Sequence, residues 1–196
     1  IIAVKDDVIA SVAKQLNLKD KIVVHTSGTV DMAVLKKVTK NYGVLYPLQT
    51  LSKDIEIDFK TVPVCIEASN KATSESLQYF AKSISRNVQR INSEQRKKIH
   101  LAAVFACNFS NHMYSIADDL LGNDKLSLEL LKPLIEETAN KIKLGRPHKM
   151  QTGPAIRGDK QTINAHLKLL SKDKRNQKIY KLLSESIVTA SKKNKS

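Results

Sequence analysis

Tryptophan is absent from these 196 residues, and aromatic residues together make up only 5%. Glycine occurs six times and never in the spacing G-x-G-x-x-G, so this stretch lacks the loop that cradles a dinucleotide pyrophosphate. No P-loop is present either. His25-Thr26-Ser27-Gly28-Thr29 lacks the G-x-S-x-G elbow, which removes a serine-hydrolase reading. Of two cysteines, Cys65 and Cys107, neither belongs to a CxxC or a His/Cys cluster, so structural zinc is not indicated. Both sit in apolar segments and are expected to be small buried hydrophobes in a reducing cytoplasm. There is no signal-peptide pattern and no apolar run near transmembrane length, so no membrane partner is expected.

Acidic residues are also scarce beside basic ones: 19 Asp and Glu against 33 Lys and Arg, a net charge of +14. Such a charge first suggests nucleic acid. The lysines, however, are scattered over expected helix surfaces and are densest only from Lys168 to Lys195, without interleaved aromatics. A basic chain of this kind suits small anionic ligands, a dinucleotide phosphate among them. Nucleic-acid binding on charge alone would show affinity falling steeply with salt.

What is present is an alternation. Ile1–Val4, Lys21–His25, Gly43–Tyr46, Val62–Ala68 and Asn87–Ile91 read as β runs. Helical spacing marks Val8 to Leu16, Val30 to Val38, and Ser74 to Ile84 with Leu77, Phe80, Ala81 and Ile84 inward. Strand–helix alternation with short connections predicts a parallel sheet covered by helices. Pro63 predicts an edge position for its strand. From Ser93 onward no convincing strand remains. Leu126–Leu144 reads as a helix broken near its start by Pro133, His148–Gly158 as a loop, Asp159 as a helix cap, Ile179–Ala190 as a last helix, and Lys192–Ser196 as a frayed tail. The expected domains are 1–92, the later half of an α/β dinucleotide-binding fold, and 93–196, all helical.

The helix from Ser93 to Gly122 is the feature around which the site is expected. Ser93 is the expected N-cap, with Arg96 three residues on and hence no capping box. Apolar residues wrap most of the cylinder, which predicts a core helix. At about 100° per residue, His100, Asn108, Asn111, His112 and Ser115 fall in one stripe, with Leu101 and Val104 as apolar intruders. Such a stripe is either the wall of a polar cleft or a set of satisfied buried groups. In open parallel sheets, ligands bind beyond the carboxyl ends of the strands. That rule selects Lys5 and Asp6 after Val4, His25 and Ser27 at the second run, and Gln49 after Tyr46. Ser27 could equally cap the following helix. Arg157, in Gly153–Asp159, could fork onto a carboxylate or phosphate, or pair locally with Asp159. Histidine protonates nearest neutral pH, so His100 and His25 suit acid–base work.

The series IIAVKDDVI, VVHTSG, YPLQT, IHLAAVFACNFSNHM and TGPAIRGD resembles a bacterial family of Rossmann-like NADP oxidoreductases with a helical C-terminal domain, over Ile1 to about Leu170. Its wider relatives include pyrroline-5-carboxylate reductase, ketopantoate reductase and the 6-phosphogluconate and 3-hydroxyisobutyrate dehydrogenases. The resemblance implies a Gly-rich first βαβ unit ahead of Ile1 and NADP, or NAD, as cofactor. Lys5, Asp6, His25, Ser27 and Gln49 would lie on the cofactor side, with His100 and Asn108 as catalytic residues. Asn111, His112 and Arg157 would bind a small, anionic carbonyl or imine substrate. It also implies a homodimer through the helical domain. Many dehydrogenase relatives carry a catalytic Lys four residues before the Asn; here that position is Val104, which leaves the proton to His100 or describes a chain that binds a dinucleotide without turnover.

Overall fold

The computed structural model describes residues 1–52, 54–122 and 125–193. Two compact units are present, Ile1–His112 and Met113–Ser196.

The first unit is built on a four-stranded sheet in the order β1-β2-β3-β4: β1 Val23–His25, β2 Tyr42–Pro47, β3 Val64–Ala68 and β4 Val88–Arg90. β1 and β2 are parallel, as are β3 and β4. β2 and β3 run antiparallel, with Val44 opposite Glu67 and Tyr46 opposite Cys65. This departs from an all-parallel sheet, for a local reason. A parallel crossover needs a helix-sized connection, whereas among the described residues the polar stretch after Pro47 contains only a 3₁₀ turn, Phe59–Thr61. Pro63 was expected at an edge, yet β3 is interior. The ring precedes the strand's first residue, so no ladder donor is lost, and its carbonyl accepts from the Leu48 N–H at 2.8 Å. Ile1–Val4 adds only a single parallel bridge, Ile2 to His25, to the β1 side.

Strand alternation sends neighbouring valines to opposite faces. Val23 packs with Ile2, Ile9, Ala13, Leu35 and Val38 on one face, and Val24 with Leu45, Val64, Ile66, Leu77 and Ala81 on the other. Burial on both faces explains the near-continuous apolar runs. The first face is covered by α1, Ile9–Lys14, and a 3₁₀ turn, Met32–Leu35, where a full helix was expected. The second is covered by α2, Lys71–Ile84, whose N-cap Asn70 accepts from the Thr73 N–H at 2.9 Å. Leu77 and Ala81, one turn apart, are its buried apolar residues, with Thr73 buried one turn earlier; Phe80 is 42% exposed.

A long helix follows: α3, Ser93–Ala103, then a π-helical segment, Val104–Phe109, then α4, Ser110–Gly122. The cap is Asn92 rather than Ser93. Asn92 Oδ1 accepts from the Gln95 N–H at 2.8 Å and Gln95 Oε1 from the Asn92 N–H at 2.9 Å, a full capping box. The expectation of a core helix fails: Leu101, Phe105 and Phe109 are 58%, 62% and 48% exposed.

In the second unit α5, Lys132–Leu144, takes Pro133 into its first turn instead of being broken by it, since proline suits that position. α6, Pro154–Arg157, lies within the expected loop, and α7, Lys160–Leu169, is capped by Asp159, which accepts from the Thr162 N–H at 3.0 Å. α8, Lys174–Lys193, is the last helix; Asn194–Ser196 of the expected tail fall outside the described residues. Among the described residues no helix is long and apolar enough to cross a membrane.

Candidate functional site

β1 and β2 are parallel, so their carboxyl ends share one edge of the sheet. After β1 the chain turns on Ser27. Its Oγ accepts from the Thr29 and Val30 N–H groups at 3.0 and 2.9 Å, the turn-stabilising role that competed with ligand binding. The Ser27 N–H donates to His25 Nδ1 at 3.2 Å, so the neutral ring carries its proton on Nε2. That Nε2 is buried without a hydrogen-bond partner. Burial, then the positive charge of Arg96, pushes the His25 pKa below its ordinary value. His25 is 0% exposed. It is therefore a neutral, buried part of the turn, with its ring sealed from solvent. Thr29 Oγ1 donates to Asp6 Oδ2 at 2.6 Å, joining the turn to the segment after Val4. Lys5 and Asp6 are exposed.

Behind this turn lies an ion pair that the sequence reading missed. Arg96, on the first turn of α3, is 0% exposed and Glu67, on β3, 9%. Arg96 Nε donates to Glu67 Oε2 at 3.2 Å, and Nη2 lies 3.2 Å from the same oxygen. Nη1 donates to the Ser27 carbonyl at 3.0 Å. Ser93 Oγ donates to Glu67 Oε1 at 2.6 Å. One signal was available: Glu67 in the otherwise apolar run Val62–Ala68, where a charge survives only if paired; Arg96, among polar and charged neighbours, gave none.

One turn beyond Arg96 stands His100. Its Nδ1 is 3.1 Å from the Tyr46 hydroxyl at the end of β2, with ring centres 6.1 Å apart and tilted by 58°. Gly28 also lies against the ring, where a Cβ would come within 2.5 Å of His100 Nδ1. Glycine is required here by close approach, its φ not being unusual. Burial raises the pKa of the Tyr46 phenol, so it keeps its proton at neutral pH, and the His100 protonation state decides whether the hydroxyl donates to Nδ1 or accepts from it. A cleft of about 340 Å³ opens beside the pair, lined by Tyr46, Leu48, Gln49, His100, Val104 and Asn108, with Thr50, Leu51, Ala103 and Cys107 completing it. Cys107 is exposed, against expectation, while Cys65 is buried and its thiol pKa raised by burial.

The cleft thus brings together Gln49, His100 and Asn108. It leaves out Asn111 and His112, which are exposed at the start of α4. The π segment explains the split. One extra residue in a turn rotates everything after it by about 100°, so a stripe drawn at constant pitch breaks there. Gln49 Oε1 also accepts from the Thr50 N–H at 2.8 Å. Arg157, in the second unit, is exposed at the end of α6. Nearby Asp159 has its pKa lowered by the two hydrogen bonds from Thr162 and, less, by Arg157. Among the described residues no cluster of His, Cys, Asp and Glu could hold a metal ion.

A family model described as a domain of unknown function (DUF2520) matches residues 62–187. No curated protein matches the chain. Among solved structures, it is similar to a Bacteroides fragilis protein named "putative NADP oxidoreductase", at 43% identity and a TM-score of 0.90, covering 95% of this chain and 73% of that one. A Thermotoga maritima protein, whose name states no activity, is similar at 25% identity and a TM-score of 0.80, covering 99% and 78%.

Proposed function

We propose that this chain, which belongs to the DUF2520 family, forms the nicotinamide-side and helical parts of an NAD(P)-dependent oxidoreductase acting on a small carbonyl or imine substrate. The observation that carries this reading is the Tyr46–His100 pair beside a cleft at the carboxyl ends of two parallel strands. The name of the Bacteroides protein supports NADP as the first cofactor to test.

The residues present fit one end of a dinucleotide. About 340 Å³ lies at the low end of small-molecule sites. It suits a nicotinamide ring with a small substrate, and no G-x-G-x-x-G is present to hold a pyrophosphate. When bound, the nicotinamide supplies or accepts the hydride. The protein's own work is with the proton and with orientation. As imidazolium, His100 donates from Nδ1 to the Tyr46 hydroxyl oxygen and passes its Nε2 proton to the substrate's oxygen or nitrogen, returning to the neutral ring. The amides of Gln49 and Asn108 orient polar groups, and Leu48, Leu51, Ala103 and Val104 exclude water. The chain's positive charge favours an anionic substrate, with Asn111, His112 and Arg157 as candidate contacts and Lys5, Asp6 and Ser27 on the cofactor side.

A second reading is a dinucleotide-binding protein without turnover. It is favoured by Val104, whose apolar side chain lines the cleft where many dehydrogenase relatives place lysine. The two readings separate in one experiment. NADPH, then NADH, is titrated calorimetrically into protein carrying a Gly-rich unit ahead of Ile1, followed by a panel of carbonyl and imine acids. The oxidoreductase reading expects binding and turnover, with His100→Ala losing about 100-fold or more in kcat and little cofactor affinity. Binding without turnover favours the second reading, and no binding overturns both.

The reading includes a homodimer formed through the helical unit. It is supported by Leu134, Leu144, Leu169 and Leu182, which are 62%, 80%, 83% and 67% exposed. It also includes a cytoplasmic location, supported by two unpaired cysteines.

A further inference from the structure

We infer that Arg96 is a positioning residue: its buried guanidinium, clamped by Glu67 and Ser93 and holding the Ser27 carbonyl, sets the His100 ring against Gly28 and Tyr46. The inference rests on the reading of His100 given above.

α3 buries no apolar side chain; its buried residue is Arg96. Helices are normally registered against a sheet by interlocking apolar residues. Here that task falls to an ion pair. For stability alone this is a poor solution, since well-packed hydrophobic residues commonly do as well as a buried pair. What apolar contacts lack is direction. A planar guanidinium offers its donors in a fixed fork. Arg96 uses Nε and Nη2 on Glu67, which fixes α3 to β3, and Nη1 on the Ser27 carbonyl, which fixes it to the turn after β1. Ser93, on the same turn of α3, closes the network by donating to the other carboxylate oxygen. Of the three elements so joined, α3 carries His100, the turn after β1 carries Gly28 against it, and β3 pairs with β2, which carries Tyr46.

His100 lies four residues on, on the same face and about 6 Å along the axis. The peptide that Arg96 holds runs from Ser27 to Gly28, and Gly28 is the residue against which the His100 ring rests. A Cβ there would stand 2.5 Å from Nδ1, so the contact has no slack. Arg96 thus holds both the helix that carries the ring and the backbone beneath it. If the fork is lost, α3 is free to turn by a fraction of a residue. The 3.1 Å contact between His100 and Tyr46 is then the first to change.

The test uses the full chain labelled with ¹³C in histidine, the His100 signals being assigned with His100→Gln. Arg96→Lys keeps the charge and removes the fork. Glu67→Gln keeps the shape and removes the carboxylate charge. Ser93→Ala removes only the bridging hydroxyl. The expected result is that His100 ring signals move and broaden, and that their contact with the Gly28 α protons weakens, most in Arg96→Lys and least in Ser93→Ala. Signals of His148 and His166 stay where they are. Once a substrate is known, Arg96→Lys should lower kcat by up to about 100-fold with NADPH affinity unchanged. Should Arg96→Lys fail to fold, the other two variants carry the same test. Folded variants with His100 signals and the Gly28 contact unchanged, whatever their melting temperature, would overturn the inference. A wild-type chain that never turns over a substrate would sink the oxidoreductase reading but leave the spectroscopic result standing.

Discussion

The two units bury their apolar residues very differently. In Ile1–His112, Ile9, Leu35, Val44 and Val64 are fully or almost fully buried, on both faces of a sheet. In Met113–Ser196, the buried apolar side chains among the described residues are Ala155 and Leu170, while Leu130, Leu144, Leu169 and Leu182 stand largely exposed. The α/β unit contains its own core. The helical unit has amphipathic helices whose apolar sides are left open. In water, open faces of this size call for a partner, and the proposed second copy of the chain would supply one. The helix that crosses the division shares in both patterns. Its first turn is locked by Arg96, and its middle exposes Phe105 and Phe109 in edge-to-face contact with each other.

The contrast is broken most strongly inside the sheet unit. Leu35→Ala should cost about 2–5 kcal/mol, read as a lowered urea midpoint independent of protein concentration. Leu182→Lys should cost an isolated chain no more than about 0.5 kcal/mol. In a dimer it should weaken association by tenfold or more, because burying one leucine is worth about 1.5–3 kcal/mol. Sedimentation over a dilution series measures this; unchanged association would place the interface elsewhere. The smallest effect is one of pH. The folded-state pKa of His25 lies below its ordinary 6.5, so the unfolded chain takes up the proton first as pH falls. The contribution of the neutral ring is complete above about pH 6.5 and is lost on acidification through the lowered folded value. Urea midpoints from about pH 8 to about pH 5 should fall more steeply for wild type than for His25→Gln, and parallel slopes would exclude His25 as the source.

Much of the fold was legible because it follows from local periodicity. Val23-Val24 and Val64-Cys65-Ile66 read as buried strand, and Leu77 with Ala81 as one helix face. Strand direction was not legible: nothing local to Val64–Ala68 says that it runs against β2. The site was legible in part. Gln49, His100 and Asn108 share a cleft because a strand end and a helix stripe are predictable places. Tyr46 was read as strand, and its hydroxyl contact with His100 spans 54 positions. Asn111 and His112 missed the cleft lining because a π turn has no sequence signal that a constant pitch can register.

By itself the sequence determined most of the strand and helix segments, Asp159 as a helix cap, and the family. Each depends on neighbours within a few positions or on motifs in order. Tertiary structure alone decided that β3 runs antiparallel, that His25 is sealed in, that Arg96 finds Glu67 29 positions away, and that Gly28 lies beneath His100. These outcomes rest on burial and charge pairing between distant residues. Such energies exist only once the chain has brought those residues together.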